Sequence, residues 1–433
     1  MKSTTRGGSI SSARNKIILK QVSPNITLLA EHIPKFYSFS LGFFLNYGSR
    51  DETDKTNGIT HLIEHMLFKG TSRKSSLEIV RFIEGLGGSF DAYTTKENLI
   101  IITRFLSEHI INVFDLIAEL LLESTFEKDE LSKEKGVIIE EIKANNEDPG
   151  DYVFDLFFQT LFPDNALGLP IAGTEQTVTS FSAGQARDHY HTLLKKQMVI
   201  AVSGNFDYKA LADLVEKRFG HITASVPDRT GPEGRYKQMA VHERRDIKQT
   251  HCICGVPGLA YNSPERYQFS ILNAAFGGGM SSRLFQGLRE QEGLVYNVQS
   301  FIDMYSDCGL SGFYFACDKK NLPRVAERVR KIFVEVTQRG FKKDEIELAK
   351  TYLIGNLLLS LESSTNRMLR IGREMLHHGA VNDIDTILQK VRAISEKEVN
   401  ALIPHFLDFD TQSYALVGPL NTDEARTIFG SDS

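Results

Sequence analysis

The chain has 433 residues, 41% of them apolar, enough to bury a large core and more than a single domain usually holds. A formal charge of −5 with 24% charged residues provides no basic footprint for nucleic acid and no acidic low-complexity tail. No run of eighteen apolar residues is present, so no membrane span is expected, and four cysteines (Cys252, Cys254, Cys308, Cys317) are too few for a disulfide framework and fit a reducing compartment.

The N-terminal segment carries Lys2, Arg6, Arg14, Lys16 and Lys20 with no acid before Glu31. Before Ile17 only Ile10 and Ala13 offer apolar surface, so it reads as a solvated tail on a cytoplasmic protein. An organelle transit peptide, giving a matrix location, is the alternative. Alternating apolar residues then predict strands at 26–30 and 39–45. The next feature is His61-Leu-Ile-Glu64-His65. Residues four apart lie on one helical face, so His61 and His65 can hold one metal ion while Glu64 stays near enough to take a proton from water. This is H-x-x-E-H, the inverse of the commoner H-E-x-x-H order.

A long amphipathic stretch at 107–124 predicts a helix, and a second follows around Glu134-Lys-Gly-Val-Ile-Ile-Glu140-Glu141. A catalytic zinc takes three protein ligands, so one more is needed. Glu134 and Glu141 lie two turns apart on one face, whereas Glu140 points elsewhere. Glu141 is therefore the candidate third ligand and Glu134 its support. Residues 119–155 hold twelve acids and four bases; they read as a solvated helical face, or alternatively as an acidic wall beside the metal that favours basic peptides.

At this point the chain resembles the pitrilysin or insulinase family of zinc peptidases, in which the third ligand is a Glu about as far beyond the second His as Glu141 is from His65, 76 residues. Gly48-Ser-Arg-Asp-Glu52 before the motif and Phe68-Lys-Gly-Thr71 after it are similar to the processing-peptidase branch. The likeness continues through Gly87-Gly-Ser-Phe-Asp-Ala-Tyr-Thr94 and Val202-Ser-Gly-Asn205, with Asp91 standing where relatives usually carry Asn. It implies a zinc endopeptidase with one Zn2+ per chain held by His61, His65 and Glu141, and Glu64 as general base. Substrate backbone is then expected to add to an edge strand around Ser89, Ala92, Tyr93 and Thr94, a sequence-tolerant mode that suits extended peptides.

Internal repeats give the architecture. Phe126-Glu-Lys-Asp-Glu-Leu131 returns as Phe341-Lys-Lys-Asp-Glu-Ile346, an offset of 215, and the strand ending at Gly204 returns in one ending at Gly418. That offset places Ala349 and Asn356 at Glu134 and Glu141, and an offset near 210 places Ile271 and Ala275 at His61 and His65, so the second copy lacks every ligand. The expected fold is α+β: two homologous layered domains, each a largely antiparallel sheet covered by helices. Residues 1–224 form the zinc-bearing domain, 225–240 a Pro- and Gly-rich linker, and 241–433 the domain without zinc.

The second half holds Phe276-Gly-Gly-Gly and, beyond it, Arg289 and Tyr296. The glycines close a helix rather than cradle phosphate, since no Gly-Lys-Ser/Thr follows. Arg289 and Tyr296 match the family's Arg and Tyr, seven residues apart, which face the zinc from an opposite lobe and are donors suited to an oxyanion. Larger members carry four such domains in one chain; with only two, this chain is expected to pair, as a homodimer or with a related subunit. The competing readings are a non-catalytic scaffold or partner subunit of a processing-peptidase-like complex, and a metal-dependent hydrolase of small molecules. His189, His191, His377 and His378 lack carboxylates at ligand spacing and read as structural.

Overall fold

The structure is a computed structural model that describes residues 16–229, 231–232 and 234–430, so both readings of the first fifteen residues fall outside the described part. In the first half, β1 (Ile17–Ser23), β2 (Ile26–His32), β3 (Ser38–Leu45), β4 (Ser89–Thr94), β5 (Leu99–Leu106) and β6 (Met198–Gly204) form one sheet in the order β1-β2-β6-β3-β5-β4. Every neighbouring pair is antiparallel except β2 and β6. Its helices are α1 (Ile59–Met66), α2 (Ser76–Gly85), α3 (Ile110–Glu123), α4 (Lys128–Glu147), α5 (Pro149–Leu161), α6 (Glu175–Ser180), α7 (Ala183–Leu193) and α8 (Tyr208–Phe219).

The second half repeats the plan. β7 (Met239–Glu243), β8 (Gln249–Gly258), β9 (Asn297–Met304), β10 (Gly309–Asp318) and β11 (Ser413–Gly418) lie in the order β7-β11-β8-β10-β9, again with a single parallel pair, β7 and β11. This matches β2-β6-β3-β5-β4 strand for strand, so the duplication read from short sequence matches extends to topology. The helices used below are α9 (Arg266–Gly277), α10 (Leu322–Arg339), α11 (Lys343–Ser360), α12 (Ser364–His378) and α13 (Ile384–Ala393). Gly278 caps α9, as the glycine triplet suggests.

The two halves exchange a helix. α5 presses Val153, Phe157 and Leu161 onto the second sheet, against Ile253, Leu310, Ala415 and Val417. In return, α12 presses Met368, Ile371 and Met375 onto the first sheet, against Phe44, Ile100, Val199 and Ala201. Each sheet is thus covered on one face by its own half and on the other by a helix from the opposite half. Burying a side chain the size of Phe157 or Ile371 contributes about 1.5–3 kcal/mol, so neither sheet face is stable bare.

A buried ion network closes the junction. Arg50 donates to Glu97 at 2.7 Å and to both oxygens of Asp307 at 2.8 and 3.0 Å, linking the β4–β5 turn to the β9–β10 turn. Glu97 also accepts from the amide and hydroxyl of Ser306. Arg229 donates to Asp51 and to the Glu97 carbonyl, which pins the segment read as a linker, and Met239 and Ala240 at its end already belong to β7. Among the described residues no helix is long and apolar enough to cross a membrane.

Candidate metal centre

Helix α1 carries His61, Glu64 and His65, while Ile59, Leu62, Ile63 and Met66 are buried. Its start is unusual: Gly58, the N-cap, has φ +92° and offers no side-chain acceptor. The orphan amides are received from outside the helix. Glu52 accepts from the Gly58 amide at 2.8 Å and from the Thr60 amide at 2.8 Å, a carboxylate at the positive end of the helix. Burial dominates its electrostatics and pushes the Glu52 carboxyl up to about 7, against the lowering effect of those hydrogen bonds.

The His61 and His65 rings stand 4.7 Å apart, with planes at 70°. One ligand atom each from His61, His65 and Glu141 lie within 4.8 Å of one another, a cluster tight enough for one ion at about 2 Å from each. Burial, and then the charge of His65, hold His61 down at about 4, so its ring is neutral at neutral pH, the state a metal needs. The Nδ1 atom of His65 lies 3.2 Å from Glu134, and its Nε2 lies 3.6 Å from Glu141. Glu134 thus orients the ring so that the second nitrogen faces Glu141, and Lys69 balances Glu134 at 2.7 Å. Glu140 turns outward to Lys143. The donor set, its compactness and the neutral His61 ring fit zinc.

Glu64 lies beside the cluster without belonging to it. Burial pushes its carboxyl up to about 7, opposed by the Thr94 hydroxyl, which donates to Glu64 at 2.6 Å. Thr94 reaches there because β4 runs past α1 with Phe90, Ala92 and Thr94 on the helix side. Among the described residues β4 is the edge of its sheet, and its outer backbone groups have no strand neighbour there. Tyr93 and Thr94 line the cavity in front of His61, Glu64 and Glu141, a space of about 690 Å³, whereas Ser89 lies at the far end of β4 in a separate groove and Ala92 lines neither. Asp155 and Gln159, from the exchanged helix α5, form another wall.

Several of these contributions were not visible in the sequence. Thr94 as the partner of Glu64, Lys69 as the partner of Glu134, Glu52 as the cap of α1 and Asp155 as a cavity wall all depend on tertiary contact. The quoted flanks Gly48–Glu52 and Phe68–Thr71 held two of them, but only as resemblance.

Residues 27–175 match the family described as insulinase, peptidase family M16, and residues 180–353 match the peptidase M16 inactive domain. An uncharacterized zinc protease of Streptomyces coelicolor is 34% identical, with 93% of this chain and 90% of that protein covered, and one of Bacillus subtilis is 34% identical, with 90% and 95% covered. The chain belongs to the M16 peptidase family. The M16 fold is also seen in a solved peptidase M16 inactive domain from Pseudomonas fluorescens, with TM-score 0.85 at 20% identity, covering 94% of this chain and 98% of that one. A chain of complex III2 from Candida albicans has TM-score 0.81 at 20% identity, covering 96% and 100%.

Arg289 and Tyr296, the M16-like pair, do not line the metal cavity of their own chain. Arg289 ends a π-helical turn, Phe285–Glu290, with its guanidinium over the Tyr296 ring at 5.8 Å, and Tyr296 is 80% exposed. Among the described residues Arg289 has no ion pair, and its guanidinium also lies over the Phe285 ring at 4.9 Å.

Proposed function

We propose that this protein is a zinc-dependent endopeptidase that cleaves extended or unfolded peptides in a chamber formed by paired subunits. The observation that carries the reading is the convergence of His61, His65 and Glu141 beside the buried carboxylate of Glu64 and the free edge of β4. One zinc ion per chain is held by the first three, and when bound it supplies Lewis acidity toward water and the scissile carbonyl.

The chain's own residues do the rest. Glu64, held by Thr94, accepts the proton of the attacking water and returns it to the leaving amine. Glu134 holds the His65 ring in place. Backbone of an extended peptide adds to the edge of β4 from Ser89 through Ala92 to Thr94, with its Tyr93–Thr94 end at the metal cavity. Asp155 and Glu175 are the cavity carboxylates that a bound metal would leave free, and they are the groups that would favour basic peptides. Arg289 and Tyr296, exposed and outside their own cavity, are completed by pairing: they donate to the oxyanion at the site of a second subunit, in a homodimer or with a related chain. Four free cysteines suit a reducing, cytoplasmic setting. A scaffold subunit has no use for the full set of ligands and base.

Metal analysis together with two substrates tests this. About one zinc per chain, cleavage of a quenched-fluorescence basic peptide, loss of cleavage on chelation, and no cleavage of a disulfide-locked folded protein are expected. Equal cleavage by metal-free protein, or rapid cleavage of the folded substrate, contradicts the reading.

A further inference from the structure

The second half contains a hollow of about 260 Å³ between α9, α11, α12 and α13, with Met304 of β9 also in its lining. Its position is that of the metal cavity in the other copy. By the repeat offset of 215, Leu357, Arg370 and Glu374 stand at the places of Ile142, Asp155 and Gln159, and by the offset of 210 Met304 stands at the place of Thr94; all four counterparts line the metal cavity.

Duplication kept the hollow and reversed its character. The body is apolar, with Leu353, Ile354, Leu357, Ile387 and Val391. Where the metal cavity has Asp155, this one has Arg370, and Arg266 joins it. Glu374, the one carboxylate, is already engaged: it accepts from Arg370 at 3.1 Å and from the Asn382 amide at 2.6 Å. The Nε of Arg370 is buried and makes no hydrogen bond. Arg266 lies over the Tyr267 ring at 4.5 Å and donates to its hydroxyl, and no ion pair of Arg266 is present among the described residues. Two guanidiniums thus face one satisfied carboxylate. The neighbouring His378 titrates lower than usual, from burial first and then from Arg266, His377 and Lys390, which agrees with a positive local field.

We infer that this hollow is a binding site for a small apolar monocarboxylate, whose chain fills the aliphatic body and whose carboxylate meets Arg266, with the charge of Arg370 beside it. A neutral ligand gains no charge-assisted hydrogen bond from Arg266, and a cationic one is repelled. A cavity of about 150 Å³ admits benzene, so this one takes roughly ten non-hydrogen atoms, the size of octanoate. A free carboxylic acid and an apolar peptide C-terminus share this chemistry. The hollow has room for about ten non-hydrogen atoms, which accommodates the free acid whole.

Isothermal titration of the full-length protein with octanoate, octanol, octylamine and a hexapeptide ending in leucine tests the inference. Octanoate is expected to bind one per chain, at least tenfold tighter than each of the others. Arg266→Gln should erase the preference over octanol. Ile354→Trp, or Ile387→Phe if the first variant fails to fold, should abolish binding while leaving zinc content unchanged. Equal affinity for octanoate and octanol, tighter binding of the hexapeptide, or octanoate binding that survives both Arg266→Gln and the filling variant overturns it.

Discussion

Single residues here owe their character to burial more than to partners. His189 on α7 shows the effect away from the metal: its ring meets Tyr47 edge-on at 5.2 Å, and its Nε2 is buried without a hydrogen bond. Desolvation, helped by Lys196, lowers its pKa to about 4 from 6.5. The unfolded chain therefore binds this proton first on acidification. The stability His189 provides by staying neutral is complete above pH 6.5 and is lost as pH falls toward 4, at roughly 1.4 kcal/mol per unit. His189→Phe keeps the aromatic contact and removes the titration. Its urea midpoint should fall less than that of the wild type between pH 6.5 and 5, at matched zinc occupancy; an identical slope contradicts the assignment. The sequence made some residues legible and not others. His61, Glu64 and His65 are local, set by helical spacing, and Glu141 is separated from Glu140 by the same spacing. Thr94, Lys69 and Glu52 are brought in by the path of other segments, which no spacing encodes.

At the scale of elements, alternation in 26–30 and 39–45 and the amphipathic stretch at 107–124 correspond to β2, β3 and α3. What periodicity does not specify is the partner of an apolar face. The run Tyr152-Val-Phe-Asp-Leu-Phe-Phe158 begins inside the segment read as a solvated acidic face, and only the fold reveals that α5 covers the sheet of the other half. The return helix α12 fits its sheet closely: a Cβ built at Gly372 would come within 2.3 Å of the Phe44 ring, and one at Gly42 within 2.3 Å of Met368 Sδ. Gly355, in the interior of α11, has nothing within 4 Å. Both helices gain up to about 1 kcal/mol from Gly→Ala propensity, but at Gly372 overpacking costs about 1–3 kcal/mol. Thermal melting should show Gly355→Ala stabilised and Gly372→Ala destabilised. A stabilised Gly372→Ala would mean that the exchanged helix is loosely seated.

For the whole molecule, exchange of α5 and α12 and the Arg50–Glu97–Asp307 network make the two halves one body, so the pair Arg289 and Tyr296 cannot easily swing into its own cavity. Composite sites between subunits follow from the proposed pairing. A His61→Ala chain and an Arg289→Ala chain, each inactive alone, should regain activity when refolded together. Random pairing makes half the dimers mixed, each with one intact site of two, so roughly a quarter of wild-type activity is expected. Background activity with mixed dimers confirmed by native mass places the pair in cis or outside the site.

The division of labour between ligand and base is tested most directly by measuring zinc content and peptide cleavage on the same preparations of Glu64→Gln and Glu141→Gln. Glu64→Gln should retain about one zinc per chain and lose cleavage, because the base is not a ligand, whereas Glu141→Gln should lose the metal. Zinc lost from Glu64→Gln, with zinc and cleavage preserved in Glu141→Gln, would contradict the account.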